Sequence, residues 1–214
     1  MPLPMVHLSV AWNLDSNADG SYFIGSIAPD AINLRKNRTK NMKRYAHMMP
    51  RFVPMEQLDQ ADSEILKSNA IGLIKEYADT NNASFFRGYG IHILTDLFWA
   101  EAVYKPYLKK YNSAKDIAEL SEDDTYYNDT DQCDLMLYNK MPWRKAVWSL
   151  MENAESFDVR DYITADEAEA WKIRTFNWFD RRDPDSYKGI KYIDLDIIED
   201  FIEQTTDLIR ELLK

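Results

Sequence analysis

The chain contains three histidines, and one of them, His92, stands four residues before Asp96. Residues four apart on an α-helix project from the same face, so this imidazole and this carboxylate can reach one ion. Both groups are common ligands of zinc. The spacing therefore predicts a metal site on a helix over residues 84–104.

The surroundings of His92 and Asp96 favour a metal over two simpler interpretations. The same two turns also contain Ile91, Ile93, Leu94, Leu97, Phe98 and Trp99. An ionised carboxylate that faces such a core is costly unless it is paired or bound to a cation. The alternatives are a neutral His92 hydrogen-bonded to Asp96, or a pair that lies on an exposed face.

Three more candidate ligands precede this helix. His7 belongs to an apolar N-terminal segment, and Asp30 follows Pro29 at the end of a second apolar segment. The simpler role for Asp30 is to cap the element that follows it. His47 lies in an irregular segment, so periodicity does not show where its side chain points.

Basic residues are concentrated between Asp30 and Glu56, where the chain has no acidic residue. They are Arg35, Lys36, Arg38, Lys40, Lys43, Arg44 and Arg51. The whole chain has a formal net charge of −10, and its excess of acidic residues lies in residues 113–214. A local positive field would attract a phosphate-bearing substrate toward His47, and the alternative is a solvated surface loop.

Length and composition predict an all-α, single-domain helical bundle, with one helical metal-binding domain over residues 1–214. Only six glycines occur, which argues against a sandwich, a barrel or a doubly wound sheet. Hydrophobic periodicity predicts helices over residues 3–13, 56–80, 85–111, 126–151 and 194–213. We expect breaks near Gly72 and at Pro142, and capping boxes that begin at Ser113 and Thr164.

Aromatic side chains of the second half invite a role in ligand binding, because they can stack bases or hold lipid tails. The tryptophans concerned are Trp143, Trp148, Trp171 and Trp178. Tryptophan at helical spacing is more often part of a core. We therefore predict no functional role for them.

The cysteine content and the N-terminus favour a cytoplasmic protein. Cys133 is the only cysteine, so no intrachain disulfide can form. The first residues lack the basic region and the apolar run that are typical of a secretory signal, and no stretch has the pattern of a transmembrane helix. The expected location is the cytoplasm.

Taken in order, the candidate motifs resemble one family. His7, the sequence Gly-Ser-Ile-Ala-Pro-Asp at residues 25–30, His47, and Gly-Tyr-Gly-Ile-His-Ile-Leu-Thr-Asp at residues 88–96 look like the bacterial zinc-dependent phospholipase C family. That family is similar in fold to the fungal single-strand nucleases, and both are all-helical trinuclear zinc phosphodiesterases. The match covers about residues 5–100.

The resemblance implies a role for each candidate. One zinc ion would be surrounded by Asp30, His47, His92 and Asp96, and a second would be bound by His7 and Asp96. Asp30 would also be the catalytic residue, since it would orient or deprotonate a water that lies between two ions. One to three zinc ions are expected, with two favoured.

The chain departs from the family at the third zinc centre, which takes two further histidines and a glutamate downstream of the His-x-x-x-Asp helix. No histidine follows His92 in this chain. Asp131 and Asp134 lie about one helical turn apart and are candidate replacements, with Asp134 the stronger metal ligand candidate. The alternative for both is a solvated acidic helix face.

These observations predict a metal-dependent hydrolase that acts on a phosphate ester, either a phosphodiester or a phospholipid-like substrate, through a metal-activated water. The expected partner is a small phosphate-bearing substrate. The pattern indicates neither a membrane lipid nor a nucleic acid as partner, and it is silent on oligomeric state. The alternative is a non-catalytic helical scaffold or binding protein that retains a structural metal site.

Overall fold

The protein is all-α in the parts that this computed structural model describes, which are residues 3–51, 54–114, 121–182 and 189–214. These ranges contain the α-helices α1 (Pro4–Leu14), α2 (Gly20–Gly25), α3 (Lys40–Ala46), α4 (Gln60–Glu76), α5 (Ala83–Trp99), α6 (Lys105–Ala114), α7 (Glu122–Lys140), α8 (Arg144–Glu152), α9 (Ala165–Arg181) and α10 (Leu195–Leu212). The same ranges hold no β-strand, only an isolated bridge between Val159 and Ile163. The predicted fold class is confirmed.

Helices of other types connect several of these elements. A 3₁₀-helix spans Ala28–Leu34 between α2 and α3, and another spans Met55–Gln57 before α4. A π-helix, Ala100–Tyr104, joins α5 to α6. The helix predicted over residues 85–111 is therefore helical throughout, but its hydrogen-bonding pattern changes at Ala100.

The predicted breaks differ in outcome. The break at Pro142 is confirmed, because α7 ends at Lys140 and α8 begins at Arg144. Near Gly72 no interruption occurs, since α4 continues through it. A proline lacks the backbone N–H that a helix interior needs, whereas a glycine only weakens a helix, so the two residues differ in how strictly they end one.

The two predicted capping boxes also differ. The box at Thr164 is confirmed, because its side chain accepts from the N–H of Glu167 and the carboxylate of Glu167 accepts from the N–H of Thr164. The box at Ser113 is wrong. Ser113 lies in the last turn of α6 and its hydroxyl donates to the carbonyl of Lys109, 2.9 Å away. Residues 115–116 of that predicted box lie outside the described residues.

Helix α5 is the centre of the core. Nearly all of its residues are buried, and α2 and α4 pack along it. A helix that is apolar on all sides belongs inside a protein, and α1 is buried along most of its length as well. One hydrophobic cluster takes side chains from every α-helix named above. Within the described residues, no helix has the length and apolar character needed to cross a bilayer.

Two glycines allow α2 and α5 to approach each other closely. A Cβ atom on Gly25 would lie 2.0 Å from the carbonyl oxygen of Phe85, and one on Gly88 would lie 2.0 Å from the carbonyl oxygen of Tyr22. No other residue type fits at such distances without moving a backbone. This contact brings the end of α2 beside the middle of α5, where His92 lies.

Candidate metal centre

Five polar side chains from four segments meet inside the core. They are His7 of α1, Asp30 of the first 3₁₀-helix, His47 directly after α3, and His92 and Asp96 of α5. None is more than 9% exposed. The structure therefore brings together all the residues that the sequence predicted for the first two ions.

Asp96 lies at the middle of this cluster. Its Oδ1 is 3.6 Å from Nε2 of His7, and its Oδ2 is 3.6 Å from Nε2 of His47 and 3.4 Å from Nε2 of His92. Nε2 of His47 is also 3.5 Å from Oδ1 of Asp30. These separations are long for direct hydrogen bonds but suit atoms that share an ion.

The imidazole rings are close to one another. The rings of His7 and His92 stack with centroids 3.8 Å apart, and the centroids of His47 and His92 are 5.5 Å apart. Two groups of three residues have ligand atoms that all lie within 4.8 Å of one another. They are His7, His92 and Asp96, and Asp30, His47 and His92.

Backbone carbonyls determine which nitrogen of two rings faces the cluster. Nδ1 of His92 donates to the carbonyl of Ser26 at 2.8 Å, and Nδ1 of His47 donates to the carbonyl of Lys43 at 3.0 Å. A neutral imidazole with a proton on Nδ1 carries a lone pair on Nε2. Metal-binding histidines commonly donate their other ring nitrogen in this way, which fixes the ring orientation.

Several buried atoms of the cluster have no hydrogen-bond partner among the described residues. They are both ring nitrogens of His7, Nε2 of His47 and His92, and both carboxylate oxygens of Asp96. Each unpaired buried polar group costs about 1–3 kcal/mol. When the imidazoles are neutral, the Nε2 lone pairs of His47 and His92 face carboxylate oxygens of Asp96, so an acceptor meets an acceptor. A cation removes this conflict, so the buried cluster can hold a metal ion.

Burial and neighbouring charges set the protonation of the cluster. Desolvation, with the adjacent His92, lowers the pKa of His7 to about 3, so this ring is neutral near pH 7. Burial alone would raise the pKa of Asp30 and Asp96. The neighbouring histidines, chiefly His47 for Asp30 and His92 for Asp96, hold both pKa values below their ordinary range. Burial would lower the pKa of His92, but the charge and hydrogen bonding of Asp96 raise it above its ordinary value. A metal ion would displace the proton of His92, because neutral imidazole and ionised carboxylate are the forms that bind metals.

The backbone turns sharply to place His47. Met48 has a φ of 52°, in the left-handed region that a non-glycine residue rarely adopts. The N–H of Met49 donates back to the carbonyl of Arg44, and the amide of Asn69 donates to the carbonyl of Met48. These contacts belong to a helix C-terminus that closes on itself. Such a turn carries no periodicity, which is why the sequence did not show where His47 points.

The two acidic candidates for a third centre lie outside the two groups of metal-compatible residues. Oδ1 of Asp134 accepts from the N–H of Met5 at 2.9 Å, while its Oδ2 is buried without a partner among the described residues. Burial raises the pKa of Asp134 well above its ordinary value, although the hydrogen bond from Met5 acts against this. Asp131 pairs with Arg182 at 3.2 Å. A metal role for Asp134 stays a prediction.

A cavity of about 440 Å³ reaches the cluster at Asp30. One face of α9 forms a wall of this cavity, with side chains spaced three or four residues apart. This α9 wall consists of Trp171, Arg174, Thr175 and Trp178 of α9, together with Arg182 directly after the helix. Sequence reasoning missed it because tryptophans at helical spacing fit a core equally well. The sequence signal that could have indicated a binding surface was the presence of a threonine and two arginines on the same side as the tryptophans.

The basic residues between Asp30 and Glu56 do not all have the same role: some line the cavity, and others form surface ion pairs. Arg38 and Lys43 line the cavity near Asp30. Arg35 instead pairs with Glu167 on α9, and Arg51 pairs with Asp62 at the start of α4. Only part of the stretch is therefore available to a ligand.

Comparisons of the chain with protein-family models, with curated proteins and with solved structures found no match. The resemblance to the zinc-dependent phospholipase C family therefore stays a prediction that rests on motifs in residues 5–100. The convergence of the five side chains on Asp96 is independent of that resemblance.

Proposed function

We propose that the protein is a zinc-dependent hydrolase of phosphate esters. The observation that carries the proposal is the arrangement at Asp96, where imidazole nitrogens and carboxylate oxygens lie buried without a hydrogen-bond donor among the described residues. Zinc accepts both ligand types in tetrahedral sites. The resemblance to the phospholipase C family supports zinc over the other first-row ions that such ligands accept.

Two ions are proposed. Asp30, His47, His92 and Asp96 would hold the first, and His7 and Asp96 would hold the second. Asp96 would be shared by the two ions, because its Oδ1 faces His7 while its Oδ2 faces the other two histidines.

The chemistry needs a nucleophile at neutral pH, and a bound zinc ion supplies it by lowering the pKa of a water and polarising a phosphoryl oxygen. Asp30 is placed to orient that water or accept its proton, since it is the cluster member that lines the cavity. Asn33 donates to Oδ1 of Asp30 at 3.1 Å and fixes the carboxylate. Arg38 and Lys43 on the cavity wall would bind the phosphate.

A second candidate is a helical scaffold or binding protein in which the ion only stabilises the fold. It is favoured by one observation, namely that no histidine follows His92 to complete a third centre. The proposed location for either candidate is the cytoplasm, since Cys133 is a buried free thiol.

Metal content and activity of one variant separate the two candidates. Purified protein is analysed for bound metal, and hydrolysis of bis(4-nitrophenyl) phosphate is measured with and without a chelator. An enzyme loses this hydrolysis in chelator and in His92→Ala. A structural ion predicts no hydrolysis in any sample and a His92→Ala protein that simply melts earlier.

The matched control is Leu94→Ala, which alters a fully buried residue of the same helix that belongs to neither ligand group. Removing this side chain costs about 2–5 kcal/mol through the cavity it leaves. We expect Leu94→Ala to lower the melting temperature while the zinc content and the specific activity of the folded protein persist. Equal loss of zinc in both variants would show that general destabilisation explains the result for His92.

A further inference from the structure

The α9 wall carries two buried donors that have no acceptor among the described residues. Nε1 of Trp171 and Oγ1 of Thr175 are buried and unpartnered, and their residues are 6% and 1% exposed. They lie four positions apart on α9 and therefore point from the same face. An indole N–H can only donate, so it requires an acceptor from outside the described chain.

Two cations on the same cavity have no ion pair in the part of the chain that the structure describes. Among the described residues, neither the ammonium of Lys43 nor the guanidinium of Arg174 has an ion pair or a side-chain hydrogen bond. Arg174 lies over the ring of Trp171, 4.5 Å from its centroid, which holds it at the wall. Arg182 differs, because Asp131 already pairs with it.

The donors and cations of this cavity all suit an anionic ligand. An anion with several oxygen atoms accepts from Trp171 and Thr175 together and pairs with the charge of Arg174. Asp30 lines the same cavity and belongs to the metal cluster. The cavity therefore offers one place for a phosphoryl group near Asp30 and another place for an anion at the α9 wall.

We propose that the cavity binds a small, water-soluble phosphate ester that carries a second anionic group, with the phosphoryl group near Asp30 and the second anion on Trp171, Arg174 and Thr175. This inference rests on the proposed function for the placement of the phosphoryl group. A cavity of about 440 Å³ suits a ligand of this size.

The surface near the cavity supports a soluble ligand over a lipid. The large hydrophobic side chains that are exposed in the described chain are Met42, Tyr45, Ile65, Tyr127, Met136, Leu150, Ile173 and Leu208. Of these, only Tyr127 lines the cavity. Acyl chains would need a contiguous apolar surface there.

Binding of two phosphonates to the zinc-loaded protein tests the second anion site. The probes are phenylphosphonate and 4-carboxyphenylphosphonate, measured by calorimetry. The carboxylated probe is expected to bind about tenfold more tightly, the effect of a charge-assisted contact. Arg174→Gln and Thr175→Val should each reduce that preference, while Arg181→Gln, an arginine of the same helix that does not line the cavity, should retain it.

Equal affinities for the two probes in the unaltered protein would overturn the inference, and so would a preference that survives in both Arg174→Gln and Thr175→Val. The proposed function fails separately, if the protein prefers the carboxylated probe but does not hydrolyse bis(4-nitrophenyl) phosphate. Sedimentation with phosphatidic acid vesicles distinguishes the source of the phosphate. The protein is expected in the supernatant, and co-sedimentation that the carboxylated probe abolishes would contradict a water-soluble ligand.

Discussion

Asp129 and Asp96 are both fully buried carboxylates, yet the chain treats them in opposite ways. Oδ2 of Asp129 accepts from the N–H groups of Tyr192 at 2.7 Å and Ile193 at 3.1 Å, and its Oδ1 accepts from the N–H of Lys191 at 3.1 Å. Within the described residues, Asp96 has no hydrogen bond to either oxygen. Its neighbours are three imidazoles, of which His47 and His92 donate from Nδ1 to backbone carbonyls and turn Nε2 toward it.

The difference separates a structural carboxylate from a ligand. A buried charge is tolerated when hydrogen bonds replace its water, as around Asp129. A buried carboxylate that faces neutral imidazole nitrogens has no such donor within the described residues. A cation is the complement that would suit every atom around Asp96.

The largest effect is expected from Asp129→Ala. This change leaves the three N–H groups of residues 191–193 without their acceptor and should lower the free energy of unfolding by about 3–4 kcal/mol. Chemical denaturation measures the loss. Zinc content per folded molecule should be unchanged, and a loss of zinc in this variant would remove the distinction between the two carboxylates.

Gly88→Ala tests the frame that positions the metal centre. The added Cβ would meet the carbonyl oxygen of Tyr22, and relief of that overlap should cost about 2–3 kcal/mol of unfolding free energy. Zinc affinity should fall as well, because the contact of α2 with α5 sets the hydrogen bond from His92 to Ser26.

Gly72→Ala is the matched control for this change. A Cβ on Gly72 meets nothing within 4 Å, and the residue lies within α4. It should stabilise the protein by about 0.5–1 kcal/mol without altering zinc affinity. A similar loss in both glycine variants would argue against the close approach as the cause.

Asp96→Asn should have two effects of opposite sign. The amide can donate to Nε2 of a neutral His47 or His92. In chelator, the free energy of unfolding of the variant should therefore be about 1–2 kcal/mol higher than that of the unaltered protein. With zinc present, the order should reverse because a charged ligand is lost. Denaturation curves with and without chelator measure both. A destabilised Asp96→Asn in chelator would mean that Asp96 already has a favourable partner.

The smallest effect concerns a third kind of carboxylate, the partly exposed Glu167, which forms an ion pair with Arg35. The hydrogen bond and charge of Arg35 lower the pKa of Glu167, although burial acts against this. A lowered folded pKa contributes stability that is present above the unfolded pKa of about 4.3 and is lost as the pH falls through the folded value. Because both groups are partly exposed, we expect less than about 1 kcal/mol.

The measurement for this pair is the free energy of unfolding at pH 7 and at pH 3 in a double-mutant cycle of Arg35→Gln and Glu167→Gln. The coupling should be present at pH 7 and weaker at pH 3. A coupling that grows on acidification would contradict a lowered pKa of Glu167 in the folded protein.

Sequence reasoning identified the candidate metal ligands better than the backbone contacts that position them. His92 and Asp96 could be predicted as a pair because helical spacing is local, and α10 followed from its apolar stripe for the same reason. The turn at Met48, which aims His47, depends on contacts with Asn69 of α4 and has no local pattern.

The place of the α9 wall on a cavity was also beyond the sequence. Trp171 and Trp178 have the spacing of core residues, and only the tertiary structure shows that their face borders the same cavity as Arg38, Lys43 and Asp30. Likewise, the role of Asp134 at the start of α1 joins residues 129 positions apart in the chain. Long-range pairings of this kind are set by packing, which single-sequence periodicity does not contain.

Anomalous diffraction at the zinc edge, from crystals grown with zinc, tests the metal centre most directly. We expect a peak at about 2.0–2.2 Å from Nε2 of both His47 and His92, with an oxygen of Asp96 in the same range. A second peak near His7 would support two ions. A map with no peak among these side chains, and with the nitrogens of His47 and His92 hydrogen-bonded to water instead, would contradict the proposed metal centre.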